Sequence, residues 1–115
     1  MSRKILLIKH TKGRLTAEKD SFSTKGAEFY VFPPEKVTEE LAGSRFDLIF
    51  IADGQDRLSL LSQLRSQRPE TPIVVVTRDS SWRAARDALR AGAADVLAEP
   101  LRRRKLVSAI QRILI

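Results

Sequence analysis

An α/β fold, a five-stranded parallel sheet with helices on both faces, is what this sequence predicts, and three observations predict it. Five short apolar runs alternate with stretches of helical periodicity. The clearest runs are continuously apolar, as expected for strands buried on both faces of a parallel sheet. At 115 residues, 43% hydrophobic and 30% charged, the chain has the size and balance of one globular domain, residues 1–115.

The first strand is Lys4-Ile5-Leu6-Leu7-Ile8. The second, Glu28-Phe29-Tyr30-Val31-Phe32, is aromatic and β-branched and is stopped by Pro33-Pro34. Asp47 to Ala52 is the third, closed by the turn signal Asp53-Gly54. Pro72 to Thr77 is the fourth, and Asp95-Val96-Leu97-Ala98 a short fifth. Between them, a short helix is expected over residues 14–25, because a parallel crossover must pack on the sheet. Pro34 to Leu41 reads as a helix with proline in its first turn and Gly43 beyond its end. Asp56 to Gln67 places Leu58, Leu61 and Leu64 on one stripe, with Arg65 at its solvated edge. Ser80 or Ser81 caps a fourth helix carrying Trp82, Ala85, Ala88 and Leu89, which Gly92 ends. Leu101 to Leu114 repeats Leu106, Val107, Ile110, Ile113 and Leu114 at helical spacing.

This (βα)5 pattern points to strand order 2-1-3-4-5, the flavodoxin-like arrangement. Ligand sites in such sheets lie beyond the carboxyl ends of the strands, between strands 1 and 3. Lys9, His10, Ala52 and Asp53 fall there, with Thr77 and Glu99 at neighbouring strand ends.

Composition excludes other classes. No apolar run reaches the roughly 20 residues that span a bilayer, so membrane insertion is not expected. Without cysteine there are no disulfides, thiolate metal sites or cysteine nucleophiles, and the cytoplasm is the expected compartment. The net charge of +7 is uneven: residues 58–115 hold eleven basic and five acidic side chains, against ten and nine in residues 1–57. Such a field attracts an acidic protein surface, an anionic membrane or nucleic acid without naming which.

Several segments together resemble the receiver domain of two-component response regulators. Ala91-Gly92-Ala93-Ala94-Asp95-Val96-Leu97-Ala98-Glu99-Pro100 is similar to the family's Ala-Gly-Ala-Asp-Asp-Tyr-Leu-x-Lys-Pro stretch. Lys4 to Ile8 resembles its first strand, Phe46 to Ile51 its third and Thr71 to Thr77 its fourth. The resemblance implies phosphorylation of an aspartate ending the third strand. It also implies Mg²⁺ held by that aspartate and an acidic pair after the first strand, and a lysine before the proline.

The residues depart from that pattern. The acidic pair falls on Lys9 and His10, the acceptor on Ala52, the lysine on Glu99 and an aromatic on Val96; only Thr77 matches. A one-residue slip would bring Asp53 to the acceptor position, at the cost of misplacing the third strand's alternation. The expectation is therefore a degenerate receiver without the usual Mg²⁺-dependent phosphotransfer, not an enzyme, with no cofactor and no metal. Lys9 and Glu99, with Asp53, form either an ion pair in the vacated pocket or solvated strand-end charges. His10, the only histidine, lacks companions at ligand spacing. Thr77 is either a retained switch residue or a cap for the following turn.

In receivers the fourth helix, fifth strand and fifth helix form the common partner face. Here it carries Trp82, Arg83, Arg86 and Arg90, then Arg102, Arg103, Arg104 and Lys105. The expected partner is a protein, an output domain or a second copy of the chain. Trp82 is either an exposed anchor or part of its helix's core stripe. Nucleic acid is disfavoured, since no helix-turn-helix or RNA-binding signature accompanies the basic residues. Two alternatives stay open: a phosphoacceptor using Asp53, and a weak binder of nucleic acid or anionic ligands through the basic half. The apolar ending, residues 112–115, fits either a natural terminus or a helix continuing into a linker or output domain.

Overall fold

The computed structural model describes residues 3–9, 27–36, 45–52, 57–78, 81–98 and 102–114. Its strands are β1 (Arg3–Ile8), β2 (Ala27–Phe32), β3 (Leu48–Ala52), β4 (Ile73–Thr77) and β5 (Asp95–Ala98). Its helices are α1 (Arg57–Gln67), α2 (Trp82–Arg90) and α3 (Arg103–Leu114), with a 3₁₀ turn at Pro34–Lys36. The helix expected over 14–25 and the remainder of the one starting at Pro34 lie outside the described residues. The sheet is parallel throughout, in the order β2-β1-β3-β4-β5 expected from the sequence.

Strand alternation divides the core into two layers. Leu6, Ile8, Ile49, Ile51, Ile73 and Val75 face one side, under Leu61 and Leu64 of α1 and Ala88 of α2. Ile5, Leu7, Leu48, Phe50, Val74 and Val76 face the other, under Leu106 and Ala109 of α3. The central strands β3 and β4 are buried along their whole length, which is why their sequences are uninterrupted apolar runs. Strand β3 starts one residue later than expected, because Asp47 serves as a cap: its carboxylate accepts from the Lys4 backbone N–H at 2.8 Å. At β2, Tyr30 packs edge-on against Phe46 with ring centroids 5.7 Å apart.

Two helices bury different residues from those the sequence pattern favours. In α1, Leu61 and Leu64 are buried but Leu58 is 37% exposed, and Leu60 packs on the core instead. Leu58 belongs to the first turn of α1. In α2 only Ala88 is buried, whereas Trp82 is 70% and Leu89 49% exposed. The helix meets the sheet through its small residues, and Ala91 and Ala93 continue that contact. The large side chains are turned to the opposite face.

The ends of α2 follow the sequence signals. Ser81 is the N-cap, its hydroxyl accepting from the Ala84 N–H at 3.2 Å. At the other end the Ala93 N–H donates to Ala88 O at 3.0 Å and the Gly92 N–H to Leu89 O at 3.1 Å, a Schellman closure. Gly92 has φ +111°, and a Cβ there would lie 2.7 Å from Arg65 Cδ and 2.8 Å from Cγ. Arg65 is thus not at a solvated edge. Its stem covers Gly92, and its guanidinium donates to Thr71 O at 2.9 Å and to Pro69 O. Gly92→Ala is expected to lower stability by about 1–3 kcal/mol, from backbone strain and displacement of Arg65. Urea denaturation checks this, and repeating it in an Arg65→Ala background separates the steric part from the strain.

Candidate functional site

Parallel pairing brings the carboxyl ends of the strands together. Ile8 pairs with Ile51, so Lys9 and Ala52 are the next residues on adjacent strands. Ala52 pairs with Val76 and Thr77 with Ala98, which places Thr77 one step beyond Ala52 on the neighbouring strand. The Lys9 N–H donates to Phe32 O at 3.1 Å, extending the β1–β2 ladder past Ile8. Lys9 is half-buried, while Ala52 and Thr77 are each only 4% exposed. His10, Asp53 and Glu99 lie outside the described residues, and with them the expected Lys9–Glu99 pair.

The described side chains of this corner do not fit a Mg²⁺ site. That ion takes oxygen ligands in a near-octahedral shell. An ammonium and a methyl stand where the resemblance requires carboxylates, and only the Thr77 hydroxyl supplies oxygen. Among the described residues no group of three or more His, Cys, Asp or Glu is placed to hold a metal.

A second feature is built around β5. As the last strand in the sheet, β5 is flanked by α2 on one layer and α3 on the other. Its Asp95 carboxylate accepts from the Val96 N–H at 2.8 Å and forms an ion pair with Arg112 of α3. Lys105 lies seven residues before Arg112, so the two share a helix face. On α2, Trp82, Arg86 and Leu89 share another, with the Arg86 guanidinium 4.7 Å over the Trp82 ring. Arg86 Nε is buried without a hydrogen-bond acceptor, so stacking and a 3.4 Å contact with Asp87 hold the group. Arg83, Arg90, Arg102, Arg104 and Lys105 are exposed; Arg103 opens α3. The partner-face residues named from sequence therefore occupy two helices flanking one edge strand. Leu89 was not among them, because its spacing reads as core.

The other end of the sheet carries a cleft of about 800 Å³ bordered by Lys4, Asp47, Arg68 and Glu70. Its charges are mixed and select no ligand. Among the described residues, the displaced side-chain pKa belongs to Tyr30 on β2. Its phenol is raised by its 2.9 Å hydrogen bond to Glu28, then by burial and by the Glu28 charge.

The response regulator receiver domain family model matches residues 29–111. The chain belongs to this family. It is 32% identical to the response regulator protein FleR of Pseudomonas aeruginosa over 97% of its own length and 24% of FleR. It is 45% identical to the alginate biosynthesis transcriptional regulatory protein AlgB of Pseudomonas putida over 48% of the chain and 13% of that protein. The receiver domain thus spans about a quarter or less of these relatives. Among solved structures, an orphan response regulator of H. pylori superposes with a TM-score of 0.84 at 25% identity, covering 99% of this chain and 98% of that one. A response regulator from Thermotoga maritima reaches 0.86 at 19% identity, covering 99% and 98%, a likeness of fold. The chain is therefore a receiver domain of two-component signalling, a family of signalling modules that interact with other proteins or output domains. Among the described residues no helix is long and apolar enough to cross a membrane.

Proposed function

We propose that residues 1–115 form a degenerate receiver that works by protein contact in the cytoplasm, without Mg²⁺-dependent aspartyl phosphorylation. The observation that carries this reading is Ala52. It ends β3 beside Val76, level with Lys9 on β1, and its methyl group cannot accept a phosphoryl group. Electrostatics supports the same reading. An ammonium at residue 9, where the resemblance requires a carboxylate, adds positive charge where a divalent cation would have to sit. With the phosphoryl switch absent, the exposed residues of α2 and α3 are what the domain offers a partner.

The test is intact mass after incubation with Mg²⁺ and acetyl phosphate, with Asp53→Ala run in parallel. The expected result is no added phosphoryl group on either protein. An adduct on the parent chain that Asp53→Ala abolishes would overturn the reading and make Asp53 an unconventional acceptor.

A further inference from the structure

Helix α2 turns two large apolar side chains outward, Trp82 at 70% and Leu89 at 49% exposure. Seven residues apart, they lie two turns from each other on one face, with Arg86 between them. Exposed Arg83 and Arg90 flank this stripe, and across β5 the exposed Lys105 continues the positive charge. The acids of α2, β5 and α3 are Asp87 and Asp95, and both are engaged within the chain, with Arg86 and Arg112.

From this arrangement we infer the chemistry of the occupant, an inference that rests on the protein-contact reading above. The face takes an acidic polypeptide segment carrying a large apolar side chain, and not a second copy of this chain. A two-fold dimer sets a patch against itself, so Arg83, Arg90 and Lys105 would meet their own kind. Asp87 and Asp95 would have to leave their present partners to relieve that repulsion. Nucleic acid phosphates would satisfy the cations but offer nothing apolar to Leu89. A segment with carboxylates around a leucine or phenylalanine satisfies both. Its acids take arginine forks in charge-assisted pairs. Its apolar side chain packs against Leu89 and the exposed part of Trp82 that Arg86 leaves uncovered, the aromatic-and-arginine setting in which binding energy concentrates.

Trp82 is the only tryptophan, so its emission reports this face alone. The probes are a synthetic amphipathic Glu/Leu peptide, a Glu/Ser peptide of equal charge, and oligothymidylate. Each is titrated at low and high salt, with sedimentation equilibrium of the protein alone. The Glu/Leu peptide is expected to shift Trp82 emission to the blue and to bind at least about tenfold more tightly than the Glu/Ser peptide. Leu89→Ser should remove most of that difference. Arg86→Glu with Arg90→Glu should weaken the Glu/Leu peptide at least about tenfold, with helical content unchanged. The protein alone should sediment as a monomer.

Equal binding of the two peptides, tighter binding of oligothymidylate, no binding of the Glu/Leu peptide, or a dimer broken by the arginine variants would each overturn the inference. The titrations are repeated with Mg²⁺ and acetyl phosphate while intact mass is followed. Peptide binding that appears only with a phosphoryl adduct would overturn the degenerate-receiver reading and leave the chemistry of the face standing. Failure in both conditions, without an adduct, would overturn the partner inference alone.

Discussion

Restoring four side chains is expected to turn this receiver into one that accepts a phosphoryl group. The variant combines Lys9→Asp, His10→Asp, Ala52→Asp and Glu99→Lys. The register explains why so few changes should suffice. Residues 9 and 52 follow a paired Ile8 and Ile51 on adjacent strands, which run about 4.8 Å apart, close enough for carboxylates there to share a divalent cation. Thr77 already stands on β4, one step beyond the partner of Ala52. With Mg²⁺ and acetyl phosphate, intact mass should rise by one phosphoryl group, and the same variant with Ala52 left in place should gain none. The single change Ala52→Asp should also remain unmodified, since Lys9 would neutralise the carboxylate in place of a metal. If the fourfold variant folds and gains nothing, these four positions do not by themselves decide phosphotransfer.

The adjacency of Lys9 and Ala52 was legible in the sequence because strand order and register follow from the apolar runs. Once Ile5–Ile8 and Leu48–Ala52 are adjacent parallel strands, Lys9 and Ala52 must end side by side. The exposed faces of α2 and α3 were legible in their charges and in Trp82 as one of two readings, but not in Leu89. Trp82 and Leu89 have the spacing of a core stripe, and hydrophobicity alone assigns the largest apolar groups inward. The structure instead lets Ala88, Ala91 and Ala93 meet the sheet, since small side chains allow close approach. Arg65 was illegible for a different reason. Its role depends on Gly92, which lies far along the chain and reaches it only after α1 and α2 have docked. The carbonyls of Pro69 and Thr71 that hold its guanidinium are likewise products of the turn after α1.

Phe50→Ala is expected to have the largest effect on stability of any single change considered. Phe50 is fully buried at the centre of β3, in the layer that also contains Ala52, Leu106 and Ala109. Truncating a buried phenylalanine costs about 3–5 kcal/mol, through lost burial and the cavity left behind. A domain of this size has about 5–15 kcal/mol in total, so much of its margin would go. Thermal unfolding should show Tm lowered by at least about 12 °C. Phe50→Leu, which keeps most of the volume, should lose much less. The consequence reaches the partner face because Leu106 and Ala109 belong to α3. Loosening their layer loosens the helix that presents Lys105 and Arg112 beside β5. In Phe50→Ala, hydrogen exchange in α3 should therefore accelerate more than in α2, which packs on the opposite layer through Ala88. Equal acceleration in both helices would mean that the sheet opens as one unit. In that case β3 would support α2 and α3 alike rather than supporting α3 through its own layer.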